Sequence, residues 1–121
     1  MVSNRENILR EKSYVFALKI VQMYKEIVEQ KKEFVLSKQV LRSGTSIGAM
    51  IRESEYAQSK ADFVNKLSIA IKEANETDYW LNLLLDSKYI TRQQYDELSP
   101  PCIEIIKIAT ASINTAKKNN Q

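Results

Sequence analysis

Residues that form turns are scarce in this chain, which has two glycines and two prolines among its 121 residues. Average proteins contain about 7% glycine and about 5% proline. With so few turn residues, most of the chain must lie in long regular elements. Apolar residues recur at intervals of three and four along most of the sequence, which is the spacing of one face of an α-helix. We therefore predict an all-α protein.

The first predicted helix covers residues 12–30 and is apolar around most of its circumference. It carries two neighbouring apolar stripes, Phe16, Ile20, Met23 and Ile27, and Tyr14, Ala17, Val21, Tyr24 and Val28. Because little of its surface is polar, such a helix usually packs against more than one neighbouring helix. We expect the first dozen residues and the last few of the chain to be frayed.

Three more helices are predicted, at residues 35–57, 60–86 and 91–118. Thr91 and Gln94 have the spacing of a capping box, and Ser59 with Asp62 forms a weaker start of the same kind. Connections of about two to five residues force sequential helices to be neighbours. The sequence therefore predicts an up-down-up-down antiparallel four-helix bundle, with residues 1–121 forming a single domain.

The prolines are adjacent, at Pro100-Pro101, inside the last predicted helix. An internal proline removes a helical hydrogen bond and clashes with the preceding turn, at a cost of roughly 3 kcal/mol. We expect this helix to be kinked or broken there. If it restarts, Ser99 can cap the new segment and Pro100 can take its first position.

Both glycines, Gly44 and Gly48, lie inside the second predicted helix, where each costs about 0.5–1 kcal/mol relative to alanine. The segment SGTS at 43–46 could be taken for a phosphate-binding loop, but it lacks the lysine and the preceding strand of a P-loop. The favoured interpretation is that Gly44, Gly48 and Ala49 let another helix approach closely. Direct contact with a phosphate is the weaker alternative.

The chain has no histidine, which excludes a Ser-His-Asp triad, a histidine general base and histidine-ligated metal. Glu73 and Glu76 share a helix face, but a di-iron bundle also needs Glu-x-x-His motifs. We expect the pair to lie on a solvated or intersubunit face.

Cys102 has no second cysteine to pair with and lies on an apolar stripe, so we expect it to be a small buried residue. The predictions are no enzyme, no metal and no cofactor.

Basic residues exceed acidic ones by three, and the computed pI of 8.9 is mild for a nucleic-acid-binding protein. The excess is uneven, with net charges of +4 over residues 1–42, −3 over 43–86 and +2 over 87–121. The candidate phosphate contacts are Arg42, Arg52, Lys60, Lys66, Lys117 and Lys118. Alternatively, Arg42 and Arg52 are buried in salt bridges between protomers. The candidate partners for these are Glu53, Glu73 and Glu76.

The second and third helices carry a series of motifs at fixed positions. These are LRSGTSIGA at 41–49, IRE at 51–53, SK at 59–60, DF at 62–63, KL at 66–67, KEA at 72–74, ET at 76–77 and YWL at 79–81. They resemble the motifs of the 23S rRNA intervening-sequence proteins. EKS at 11–13 and TAKK at 115–118 extend the resemblance to nearly the whole chain.

The resemblance implies a small bacterial protein whose antiparallel four-helix bundle assembles into a ring-like homopentamer. In some relatives the gene lies within an insertion in a 23S rRNA gene, and a similar fold serves as an RNA-binding accessory protein of diversity-generating retroelements. Two features depart from the family pattern. Met50 stands where members commonly have asparagine, and Pro100-Pro101 interrupts a helix that is usually continuous.

These observations predict a homo-oligomer, expected to be a pentamer, that binds nucleic acid through backbone phosphates and prefers RNA to DNA. Trp80 lies one position off an apolar stripe and is the candidate contact between protomers. The alternative is an interaction or scaffold module that binds a protein through its acidic third helix.

The longest uncharged runs are nine residues, about half a membrane span. With no leader-like segment at its start, the chain is predicted to be cytoplasmic.

Overall fold

The computed structural model describes residues 4–119. Its four α-helices are α1 (Asn4–Glu26), α2 (Leu36–Ser54), α3 (Lys60–Asp86) and α4 (Arg92–Lys118), and a π-helical segment (Ile27–Lys31) extends α1. Each helix packs against its two neighbours in a cycle, α1 on α2, α2 on α3, α3 on α4 and α4 on α1. Because the connections are short, neighbouring helices run antiparallel. The predicted all-α four-helix bundle is confirmed.

Helix α1 begins at Asn4, so the expectation that the first dozen residues are frayed is wrong for residues 4–12. Leu9 is buried, and the Arg5 guanidinium donates hydrogen bonds to Thr115 Oγ1 at 2.8 Å and to the Ala111 carbonyl at 3.4 Å. These contacts hold the first turns of α1 against the end of α4. Residues 1–3, 120 and 121, which were also expected to be frayed, lie outside the described residues.

The core is built from the stripes that the sequence shows. Phe16, Ile20, Met23 and Ile27 are all buried, as expected for the inner face of α1. The other three helices contribute Val40, Ile47, Ile51, Leu67, Ala70, Ala74, Leu81, Leu84, Leu98, Cys102, Ile105, Ala109 and Ile113. Met50 is half-buried and packs against this core.

Helix α4 passes through Pro100 and Pro101 without a break. The alternative in which the helix ends and restarts at Ser99 is therefore wrong. Leu98 and Cys102, on either side of the pair, are buried at 3% and 0% exposure, which anchors both turns in the core. Tertiary packing of this kind outweighs the loss of the two hydrogen bonds that prolines cannot donate.

Three of the helices start on side-chain caps. The capping box of α4 is present as predicted, with hydrogen bonds from Gln94 N to Thr91 Oγ1 (3.1 Å) and from Thr91 N to Gln94 Oε1 (2.8 Å). At the start of α3, Ser59 Oγ accepts from Asp62 N at 3.0 Å. Helix α2 uses a cap that the sequence analysis missed, the carboxylate of Glu33.

The Glu33 carboxylate accepts hydrogen bonds from the backbone N–H groups of Val35, Leu36 and Ser37, at 2.8–3.0 Å. Burial acts to raise the pKa of Glu33, but these hydrogen bonds outweigh it and hold the pKa below the ordinary 4.5. Because the folded pKa lies below the unfolded one, the stabilisation is complete above the unfolded pKa. It is lost as the pH falls through the folded value.

We therefore expect Glu33→Gln to destabilise the protein at pH 7, with the difference from wild type shrinking as the pH falls from 5 to about 3. Urea unfolding at pH 7, 5 and 3.5 measures this. Glu29→Gln is the control, since this exposed carboxylate makes no hydrogen bond within residues 4–119. If Glu33→Gln lowers the free energy of unfolding by the same amount at all three pH values, the charge of Glu33 does not contribute to stability.

Candidate nucleic-acid interface

The bundle has two ends that differ in charge. We call proximal the end where α1 and α3 begin and α2 and α4 end, formed by residues 4–10, 52–66 and 111–119. Side-chain contacts join these segments, including Arg5 Nη1 to Thr115 Oγ1 at 2.8 Å and Arg10 Nε to Glu55 Oε1 at 3.8 Å. The opposite, distal end is formed by residues 25–38 and 86–97.

The proximal end holds the excess positive charge of the chain. Its three segments contain seven basic and four acidic side chains, while the rest of the chain contains eleven of each. The formal net charge of +3 therefore falls at this end, and the distal end and the middle of the bundle are balanced. A concentrated positive patch of this kind is the electrostatic feature that attracts a phosphate backbone.

Five of the six predicted phosphate contacts lie at the proximal end, the exception being Arg42. Four of them are exposed, and their side chains make no hydrogen bond or ion pair within residues 4–119: Arg52, Lys60, Lys117 and Lys118. The fifth, Lys66, is 28% exposed, and its Nζ lies 3.3 Å from Glu53 Oε1. Lys66 is thus partly neutralised within the chain, whereas the other four side chains have no such partner among the described residues.

Arg42 lies in the middle of the bundle and joins α2 to α3. Its Nη2 donates to Glu76 Oε2 at 2.7 Å, and its Nη1 lies 3.7 Å from Glu73 Oε2. The indole N–H of Trp80 also donates to Glu76 Oε2, at 3.1 Å. The hydrogen bond from Trp80, together with Arg42, lowers the pKa of Glu76 against the opposing effect of burial. Arg42 thus pairs with two of the candidate carboxylates within one chain, whereas the alternative expected such pairs between protomers.

The two glycines of α2 face α1. A Cβ added at Gly44 would lie 2.9 Å from Cγ1 and Cγ2 of Ile20, a contact too short to be tolerated without a shift. At Gly48 an added Cβ would lie 3.5 Å from the Ser13 carbonyl oxygen, in ordinary contact, and Ala49 is exposed. Close approach of α1 therefore depends on Gly44.

The hydroxyl groups beside the glycines are already used inside the helix. Thr45 Oγ1 donates to the Leu41 carbonyl at 2.7 Å, and Ser46 Oγ donates to the Arg42 carbonyl at 2.6 Å. Such back-bonding is a common use of hydroxyl side chains within helices. The arrangement does not support the alternative of a phosphate cradle at residues 43–46.

Trp80 is half-buried against the core, and its ring meets Tyr79 edge-on with centroids 5.0 Å apart. Tyr79 is the more exposed of the two, at 59%. On α1, three adjacent large side chains, Tyr14, Val15 and Leu18, are 50–58% exposed. We call these three the α1 apolar face. The sequence analysis noted the narrow polar side of this helix but did not identify Val15 and Leu18 as exposed.

Cys102 is buried, and its Sγ donates to the Ala74 carbonyl at 3.3 Å. Burial, with a contribution from the charge of Asp78, raises the pKa of its thiol to about 12. The thiolate that reactive cysteines need is therefore absent at neutral pH.

Residues 4–119 contain no cluster of three or more Cys, Asp or Glu side chains that could hold a metal ion. Within the same residues, no helix is long and apolar enough to cross a membrane.

Comparisons with known proteins agree with the helical fold. The sequence profile of the 23S rRNA-intervening sequence protein family matches residues 5–111. The chain belongs to this family. A solved structure with a TM-score of 0.89 is 56% identical, and the match covers 91% of this chain and 98% of that one. It is described as a protein of unknown function from the S23 ribosomal protein family of Bacteroides thetaiotaomicron.

No curated relative matches the chain. Membership of the 23S rRNA-intervening sequence protein family confirms the resemblance stated from the sequence motifs. The family match spans α1 to α3 and most of α4, so it includes Arg52 and Lys60 but not Lys117 and Lys118.

Proposed function

We propose that this member of the 23S rRNA-intervening sequence protein family is a non-enzymatic, cytoplasmic homo-oligomer that binds RNA in preference to DNA. Binding takes place at the proximal end through backbone phosphates. The observation that carries the proposal is the location of the net charge of +3 at this end, with four exposed cations that lack partners in residues 4–119. The RNA in the name of the family supports RNA as the polymer.

Arg52, Lys60, Lys117 and Lys118 are the phosphate contacts in this proposal. Their long side chains extend from three helices, α2, α3 and α4, so they can follow a flexible strand across the end of the bundle. Contacts to phosphates position a nucleic acid without reading its bases. Binding therefore has little sequence preference. Lys66 and Arg42, which are engaged by carboxylates, contribute less.

The proposal is tested by fluorescence anisotropy of labelled single-stranded and hairpin RNA, titrated with the protein at 50 and 200 mM salt. Matched DNA strands are the control. Phosphate contacts release counterions, so micromolar or tighter affinity should fall steeply with salt, more than tenfold for four contacts. The absence of RNA binding at 50 mM would overturn the proposal and favour the scaffold alternative.

The proposed self-association uses the α1 apolar face. Single exposed apolar side chains are normal in monomeric proteins, whereas contiguous exposed apolar patches are a feature of interaction surfaces. The exposed aromatic Tyr79 with Trp80, on α3, offers a second and different surface. Pairing two different surfaces head to tail generates a ring when the rotation between protomers closes, and a pentamer is the ring that the family resemblance implies. A pentamer carries a net charge of about +15, which strengthens backbone binding through valency.

Leu18→Asp should dissociate the oligomer into protomers of 14.0 kDa. Leu18 is 54% exposed, so an aspartate there is solvated in the monomer but is buried without a partner in the oligomer. Light scattering after size-exclusion chromatography measures the mass at several concentrations. Asn114→Asp, at an exposed position of α4, is the control with the same change of charge. A wild-type protein that is monomeric throughout would refute self-association.

A further inference from the structure

A cleft of about 590 Å³ opens at the proximal end, between the starts of α1 and α3 and the end of α4. Its volume lies within the range of roughly 300–1,000 Å³ that is typical of small-ligand sites. Six of its lining residues matter for the argument: Arg5, Lys60, Phe63, Ser112, Thr115 and Asn119. They combine cations, an aromatic ring, hydroxyl groups and an amide.

The cationic part of the cleft is suited to a phosphate. The Arg5 guanidinium is held in place by Thr115 Oγ1 at 2.8 Å and by the Ala111 carbonyl at 3.4 Å, while Lys60 has no partner within residues 4–119. Glu6 also lines the cleft, so two cations face one carboxylate. The first turns of α1 and α3 begin here, and the positive ends of their dipoles add to the attraction of an anion.

The other part of the cleft offers a surface for a base. Phe63 is half-buried against the core and also lines the cleft. Ser112, in the cleft lining, is only 6% exposed, and its Oγ is buried without a hydrogen-bond partner. A buried hydroxyl without a partner is rare in native proteins, but the Ser112 Oγ is closed off from the cleft. The surface that the cleft offers to a base is therefore the ring of Phe63.

We propose that this cleft binds one unstacked nucleotide of a single-stranded RNA. The phosphate lies between Arg5 and Lys60, and the base packs against Phe63. The inference rests on the proposed function and deepens it, because it assigns a base-holding site to a surface that otherwise contacts only phosphates. It predicts a preference for single strands over duplexes, whose paired bases cannot enter.

The test compares a labelled 12-nucleotide RNA with the same ribose-phosphate strand lacking bases. Base stacking on aromatic side chains is strong enough that the wild-type protein should bind the complete strand about tenfold more tightly. Phe63→Leu, which keeps an apolar side chain against the core, should remove most of this preference and leave the affinity for the baseless strand unchanged. Phe34→Leu, at an exposed aromatic outside the cleft, is the control.

Lys60→Gln is a second variant at an exposed position and should weaken binding of both strands alike, by about fivefold. Equal wild-type affinity for the two strands, together with no effect of Phe63→Leu, would overturn the nucleotide site. Salt-dependent binding in that case would still uphold the proposed function. Failure of the wild-type protein to bind either strand would overturn both. Circular dichroism of each variant checks that the helices are intact.

Discussion

Replacing Lys60, Lys117 and Lys118 together with glutamate should lower the affinity for single-stranded RNA by about 100-fold or more near 0.1 M salt. Each phosphate contact contributes roughly fivefold under these conditions through counterion release, and reversal adds repulsion to the loss. All three side chains are exposed and form no ion pair within residues 4–119, so the bundle should keep its stability. Anisotropy titrations measure the affinity, and thermal unfolding checks the fold.

The matched control is the reversal of Lys25, Lys31 and Lys38, which changes the net charge by the same amount at the distal end. These lysines are also exposed and have no ion pair within residues 4–119. We expect the RNA affinity of this control to fall by less than tenfold. The substitutions reduce only the long-range attraction between protein and RNA, which salt screens beyond about 10 Å. If the two triple variants lose RNA affinity equally, RNA binding depends on the total charge of the protein and not on the proximal end.

The second large effect concerns packing. Gly44→Ala should destabilise the bundle by about 1–2 kcal/mol, although alanine is the better helix former by up to about 1 kcal/mol. The added Cβ would lie 2.9 Å from two side-chain atoms of Ile20, and Ile20 is fully buried. Either Ile20 must leave its position or α1 must move away from α2.

Gly48→Ala is the internal control for this prediction. Its Cβ would meet Ser13 at 3.5 Å, an ordinary contact, so the substitution should be neutral or should stabilise by up to about 1 kcal/mol. Urea unfolding at one fixed protomer concentration compares the two variants, because the stability of an oligomer depends on concentration. Destabilisation of equal size at both sites would contradict the assignment of the close contact to Gly44.

Much of the fold follows from local sequence signals. The α1 stripe from Phe16 to Ile27 and the Thr91 capping box each combine residues close in sequence, and both are present in the structure. The start of α1 at Asn4 was not predictable in this way. Within residues 4–12 the apolar residues are Ile8 and Leu9, and two neighbouring positions do not define a helical period. The hydrogen bonds of Arg5 to α4 join residues more than 100 positions apart.

Tertiary contacts also decided which candidate cations remain available. Arg42 and Arg52 look equivalent in the sequence, ten residues apart on one helix. Only Arg42 reaches Glu76, 34 positions away, and this pairing depends on the register of α2 against α3. The concentration of charge at one end is likewise a property of the antiparallel topology, which places Lys60 beside the end of α4. The net charges of consecutive sequence segments, +4 over residues 1–42, −3 over 43–86 and +2 over 87–121, do not show this concentration of charge.

The central claim, that RNA binds at the proximal end, is tested most directly by photocrosslinking. The protein is irradiated with single-stranded RNA containing 4-thiouridine, and the crosslinked peptides are identified by mass spectrometry. The account predicts that crosslinks concentrate in residues 4–10, 52–66 and 111–119, and that they diminish when unlabelled RNA is added as competitor. Crosslinks concentrated in residues 25–38 and 86–97, at the distal end, would contradict it.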